Sequence, residues 1–201
     1  MLPPAGFGSR PLALHEVSPG SVWRRLYQSW HPDPLGFGRG ASRFSDARPG
    51  VPGADRFDVV YLGSTLKVCF LETILRDRGN GRLGDWLVEV TELELWSCAE
   101  IAVAAPIRLV ELRGDAPARM GIPSDALRAS SHDLGQAWST ALWSHDERPD
   151  GMIYSSRLNE DTNVVIYDRA LSKLRATATP RLLECRSELA SVLRDLAVAV
   201  I

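Results

Sequence analysis

The stretch YLGSTLKVCFLETIL (residues 61–75) decides the fold. With the two valines before it, VVYLG (59–63) reads as a strand. Ser64 can then cap a helix running from about residue 65 to residue 77, and GNG (79–81) stops it. One acid, Glu72, stands on that helix among Val68, Cys69, Phe70, Leu71, Ile74 and Leu75. A charged group costs several kcal/mol to bury unless it is paired or neutralised. Glu72 is therefore expected to face a cleft and to do chemistry there.

Working outward, SVWRRLYQ (21–28) alternates as a short strand, with Val22, Arg24 and Leu26 on one side. Residues 31–58 are dense in Gly, Pro, Asp and Ser and read as a loop. A loop that long is uncommon in a compact domain unless it binds something. Downstream, DWLVEVTELELWSC (85–98) reads as strand, and Glu89, Glu92 and Glu94 as one exposed face of it. IRLVEL (107–112) is a further strand. Residues 124–146 read as a helix interrupted near Ser130 and Ser131. GMIYSS (151–156) and NVVIYD (163–168) are two strands around a polar loop, in which Glu160 and Asp161 read as solvated charges. Residues 181–200 carry Leu182, Leu189, Val192, Leu193, Leu196 and Val200 on one helical stripe. Strands outnumber helices without alternating regularly, which predicts an α+β fold. The expected organisation is an N-terminal arm (1–20), a main domain (21–170) and a helical extension packed on it (171–201).

The chain has 201 residues, 45% of them apolar, 24% charged, with a net charge of -2. That is ordinary globular material with a core that needs no disulfide staples. The charge gives no broad attraction to nucleic acid or to an anionic membrane. The three cysteines, Cys69, Cys98 and Cys185, are widely spaced among apolar residues, unlike a disulfide framework or a zinc site. No signal-peptide pattern opens the chain, and no apolar run approaches the roughly 20 residues that span a bilayer. A cytoplasmic protein without metal is the expectation. The basic residues are almost all arginine, with Lys67 and Lys173 the only lysines. Genome composition accounts for that, and so does phosphate handling, where the guanidinium fork excels.

Familiar catalytic motifs are missing. His15, His31, His132 and His145 form no HxxxH or HExxH pair, and there is no CxxC. GFGRG (36–40) neither follows a strand nor ends in GK[ST], so it reads as a loop tip, and no GxSxG elbow occurs. Arg24 in a strand, Arg43 in SRFSD, Tyr61 at a strand end, Glu72 on the helix and Ser156 closing MIYSS are each ordinary alone. Their order and spacing matter together.

Those residues resemble the signature of the RES domain family, named for its Arg, Glu and Ser. The matching blocks are VWRRLY with Arg24, GASRFSD with Arg43, VVYLGSTLKVCFLETI with Tyr61 and Glu72, and PDGMIYSSRLNEDTNVVIYD with Ser156. The resemblance covers about residues 20–170. Three features depart from it. A Pro- and Gly-rich insertion separates Arg43 from Tyr61, and its residues 46–57 are expected to form part of a cleft wall. Cys69 stands where a small Ala is common. Ser155 stands where Pro is common, so it competes with Ser156 for the register. Arg25 likewise competes with Arg24, which is favoured because it follows the aromatic Trp23.

The resemblance implies an ADP-ribosyltransferase-like mixed sheet with surrounding helices. It implies a toxin of a bacterial toxin–antitoxin pair that consumes NAD+ as substrate by hydrolysis or phosphorolysis. Modification of a protein acceptor is the alternative, and a non-catalytic nucleotide- or protein-binding module is the outside one. A cognate antitoxin of the Xre type, with a helix-turn-helix region, is the implied partner. The implied catalytic set is Glu72, Arg24 and Ser156, with Arg43 and Tyr61 binding NAD+. Nicotinamide leaves neutral from a cationic ring, so the demand is stabilisation of an oxocarbenium-like ribose rather than acid catalysis. Glu72 would supply that, the arginines would hold the pyrophosphate, and Tyr61 would stack on the nicotinamide or pack on the ribose. Ser156 would bond the nicotinamide side or orient Glu72.

Overall fold

A computed structural model describes residues 1–38, 40–76, 78 and 83–201. The GNG stop signal, Arg39 of the GFGRG loop and Asp77 lie outside the described residues.

The fold is α+β. Eight strands form one mixed sheet: β1 (Leu14–Val17), β2 (Val22–Gln28), β3 (Val59–Gly63), β5 (Trp96–Val103), β6 (Ile107–Glu111), β7 (Gly151–Ser155), β8 (Thr162–Tyr167) and β9 (Leu174–Ala178). Their order is β1-β6-β7-β8-β3-β2-β5-β9, with β4 (Trp86–Val88) and β10 (Val198–Val200) pairing separately in parallel. Within the large sheet only β6 and β7 run parallel.

Alternation along β3 explains how the sheet is buried. Val60 and Leu62 enter one cluster with Ala99, Ile101, Ile153, Val164 and Ile166. Val17 of β1 and Leu174 of β9, from the two edges of the sheet, join the same cluster. The twisted sheet therefore curls and packs strand against strand. Val59 and Tyr61 point the other way, toward α3 (Ala116–Met120), α4 (Ser124–Arg128) and α5 (Asp133–Trp143), where Phe44, Trp138 and Tyr167 fill the second cluster. The break between α4 and α5 falls at the expected Ser130–Ser131 position. A third cluster joins α1 (Leu66–Phe70), β4 and α6 (Arg186–Asp195) through Leu66, Phe70, Val88, Leu93, Leu189 and Val192.

Several boundaries differ from the sequence reading. Thr65, not Ser64, caps α1: its side chain accepts the Val68 N–H at 3.2 Å. The helix then widens into a π-helical turn over Leu71–Leu75. The expected strand at 85–98 contains a helical turn, α2 (Val90–Leu93), because its apolar residues serve two sides rather than alternating, and Glu92 there pairs with Arg78. The C-terminal helix stops at Asp195, and after Ala197 at positive φ the chain becomes β10. The N-terminal arm supplies β1 and the buried Phe7, and β9 of the C-terminal extension is an edge strand of the sheet. Neither terminal segment is an appendage. Among the described residues no helix is long and apolar enough to cross a membrane.

Candidate active site

Strands β2 and β3 are neighbours in the sheet yet meet at a single register pair, Arg24 opposite Gly63. A cleft of about 680 Å³ opens beside that junction, lined by Arg25, Arg43, Tyr61, Glu72 and Asn163 among others. That volume falls in the usual range of small-molecule sites, roughly 300–1,000 Å³.

Gly63 sets how close α1 and its π turn approach the sheet. A Cβ there would lie 2.5 Å from Val68 Cγ1 and 2.7 Å from Cys69 Sγ, well inside van der Waals contact. Glycine lets the helix start against the strand end, and Asn163 of β8 sits directly opposite Gly63 in register. One π turn later, Glu72 reaches the same point. Ser156 Oγ donates to Glu72 Oε1 at 2.8 Å and Asn163 Nδ2 donates to the same oxygen at 3.3 Å. Glu72 itself is half-buried. An acid on an apolar helix is tolerated here because two fixed donors serve one oxygen and the cleft takes the other.

Ser156, at 0% exposure, is sealed beneath Glu72. Its oxygen also accepts the Leu158 N–H at 3.1 Å. Ser156 thus contacts Glu72 directly, the arrangement that the orienting role requires. Ser155 ends β7, and the hydrogen bond to Glu72 comes from Ser156.

Arg43 is held from both sides. The Tyr61 hydroxyl donates to Ser42 Oγ at 2.9 Å and accepts the Phe44 N–H at 3.0 Å. Gln136 donates to the Ser42 carbonyl and Ser139 to the Phe44 carbonyl. Gly135 of α5 lies under the loop, where a Cβ would come within 2.6 Å of the Arg43 carbonyl oxygen. The Arg43 side chain is 7% exposed. Nη1 donates to the Ala129 carbonyl, while Nη2 is buried with no hydrogen-bond partner among the described residues. Burial first, then the nearby Arg157 and Arg76, hold its guanidinium below the ordinary arginine value.

The competing arginines separate cleanly. Arg24 pairs with Glu100 and Glu188 and is not a lining residue of the cleft. Arg25 lines it, donating to the carbonyls of Pro34 and Gly36, and burial pushes its guanidinium down to about 10. Of the two candidates read from the sequence, Arg25 is the one that lines this cleft. Adjacent residues of a strand face opposite sides, and Arg24 shares its side with Leu26, which packs against α1 and α6.

Four lining arginines, Arg25, Arg43, Arg76 and Arg157, have no carboxylate within ion-pair distance among the described residues, whereas Arg78 pairs with Glu92. Arg76 Nη2 lies 3.2 Å from His132 Nε2, and burial together with Arg43, Arg76 and Arg157 holds His132 below the usual imidazole value. Tyr154 lines the cleft too, its phenol pushed well up by burial and then by Tyr61 and Glu72, so it stays neutral. Sequence reading missed Arg76, Arg157, Tyr154 and Asn163. Arg76 is four residues after Glu72, a spacing normally read as a helix ion pair, and the π turn is what frees it. Arg157 was signalled only by its place beside Ser156.

The insertion at 46–57 does not wall the cleft. Asp46 is buried and binds Arg48 and the Phe57 N–H, which folds the segment onto Phe57 and Trp143 instead. GFGRG contributes Gly38 and Gly40 to the rim.

The profile of the RES domain matches residues 14–185. A curated relative, the "Probable toxin y4kH" of Sinorhizobium fredii (strain NBRC 101917 / NGR234), is 45% identical over 127 residues, which is 63% of this chain and all of that protein. Among solved structures, a chain in the crystal structure of the M. tuberculosis MbcT–MbcA toxin–antitoxin complex superposes with a TM-score of 0.62 at 14% identity, over 87% of this chain and 92% of that one. The last likeness is one of fold.

Proposed function

This chain belongs to the RES domain family, and from that premise we propose that it is the toxin of a toxin–antitoxin pair and that it consumes NAD+ by breaking the nicotinamide–ribose bond. One observation carries the reading: a carboxylate with one oxygen fixed by Ser156 and Asn163 stands in the same cleft as four arginines that have no carboxylate within ion-pair distance among the described residues. An unneutralised arginine cluster fits a polyanionic ligand, and the diphosphate of NAD+ supplies the missing charge. A carboxylate facing that ligand fits a cation formed during the reaction. The names of the relative and of the structural neighbour support the biological half of the proposal, including a cognate antitoxin as partner.

In this scheme nicotinamide leaves with the electron pair of the C–N bond and departs neutral. The ribosyl centre becomes oxocarbenium-like, and the free Glu72 oxygen stabilises it. Arg43 and Arg25 hold the diphosphate, with Arg76 and Arg157 beside them. The Tyr61 ring forms part of the wall, and its hydroxyl holds the Arg43 loop. An acceptor then bonds to the ribosyl carbon and releases a proton. Water gives hydrolysis, phosphate gives phosphorolysis, and a protein side chain gives ADP-ribosylation.

The test is nicotinamide release from NAD+ by the purified protein and by Glu72→Gln. The expected result is Glu72-dependent release, with the variant reduced at least ~100-fold. Buffer alone, added phosphate and added lysate with labelled NAD+ sort the three acceptors. Release by neither protein under any condition would overturn the enzymatic reading and leave a binding module.

A further inference from the structure

The carboxylate bridge has a second arm besides Ser156. Asn163, the second residue of β8, is 5% exposed and sends its amide to Glu72. Resting on the reading of Glu72 as the reacting carboxylate, we infer that Asn163 is a positioning residue that fixes which Glu72 oxygen works and keeps that carboxylate an acceptor.

The hydrogen-bond directions lead there. Ser156 Oγ accepts the Leu158 N–H at 3.1 Å, so its own proton is directed at Glu72 Oε1, 2.8 Å away. Asn163 Nδ2 is a donor only, and it meets the same oxygen at 3.3 Å. Oε1 therefore receives two donors and Oε2 receives none among the described residues. The chain polarises in one direction, from the Leu158 amide through Ser156 to Glu72, with Asn163 closing it from the neighbouring strand. A hydroxyl can rotate to donate or accept; an amide nitrogen cannot. Ser156 alone would tolerate a protonated Oε1 by turning its hydrogen away. Asn163 removes that freedom, so Oε2 is the oxygen presented to the developing cation. Asn163 can do this because Gly63, opposite it in register, has no side chain to hold off Val68 and Cys69 of α1, the helix that leads into the π turn.

The test compares wild type, Asn163→Ala, Asn163→Asp and Glu72→Gln in nicotinamide release across pH, with thermal melting of each. Asn163→Ala is expected to lose about tenfold to a hundredfold in kcat with KM within about threefold, as for a lost donor to a charged group. Asn163→Asp is isosteric and separates positioning from packing. At low pH one proton shared between Asp and Glu72 restores a donor to Oε1. As pH rises that proton is lost and two like charges face each other. This variant is expected to gain a descending alkaline limb that the wild type lacks. A general packing defect would lower its activity evenly across pH. Should Asn163→Ala not fold, Asn163→Ser, too short to bridge, serves in its place with the same expected loss. Glu72-dependent release by wild type that is matched in kcat and pH profile by folded Asn163 variants overturns this inference alone. Absence of release by the wild type overturns the functional reading, and this one with it.

Discussion

Arg24 and Arg25 adjoin on one strand and live in opposite electrostatic worlds. Arg24 points to the α6 side, between Glu100 and Glu188, where its charge is answered twice. Arg25 points into the cleft, where backbone carbonyls accept its hydrogens and no carboxylate lies within ion-pair distance among the described residues. Arg48, Arg108, Arg113 and Arg128 all have carboxylate partners, and Arg25, Arg43, Arg76 and Arg157 have none among the described residues. Buried charges left without partners are a cost to folding, and in a cleft a ligand can supply the counter-charge.

That contrast breaks or sharpens by experiment. The largest effect is expected at Arg43. Arg43→Met should lower kcat/KM for NAD+ at least ~100-fold by removing a buried charge from the ligand's path. The same variant should hold or gain stability, by about 1 kcal/mol in chemical denaturation, because a buried guanidinium without an ion-pair partner is gone. A clear loss of stability would show that Arg43 serves the fold instead.

Next in size is Gly63→Ala. The added methyl meets Val68 and Cys69, so about 1–3 kcal/mol of stability should be lost. Turnover should fall further than unfolding explains, because the π turn carrying Glu72 must lift. A crystal structure or denaturation paired with kinetics checks both halves.

Arg24→Met should cost only about 0.5–1 kcal/mol, since its acidic partners are part-exposed, and should leave kcat/KM within about twofold. Arg25→Met in the same assay should weaken KM for NAD+. Equal kinetic losses from the two variants would erase the distinction between the two sides of β2.

The smallest effect concerns pH. His132 is held below its usual value in the folded state, so the unfolded chain binds its proton first as pH falls. Stability from this residue is present above about pH 6.5 and is lost as pH drops toward the folded value. His132→Gln should melt with a shallower decline between about pH 7 and 5, and an identical decline would remove His132 from the arginine group.

Much of this was legible in the sequence. VVYLG is the predicted strand to the residue, the pause at Ser130–Ser131 is the gap between α4 and α5, and Glu72, Arg43, Tyr61 and Ser156 do come together, within one cleft or directly against it. These succeed because periodicity and a misplaced charge are local signals. Other readings failed where the signal is not local. Apolar residues at 85–98 suit a strand and a helical turn equally, and packing against α6 chooses between them. Residues 46–57 looked like a cleft wall from their position alone, until Asp46 and Arg48 folded them onto Trp143.

The sequence by itself determined an α+β chain of the RES family, its central strand–helix unit, and an acid that had to have a reason for standing among apolar residues. Only the tertiary structure decided which of two adjacent arginines enters the cleft, which serine lies under the acid, and that an asparagine far along the chain completes the bridge. Strand neighbours differ by a half-turn that neither composition nor spacing resolves until the sheet's faces are assigned. The Asn163–Glu72 contact exists because Gly63 leaves room for two segments to meet, and such a meeting is a property of the packed chain.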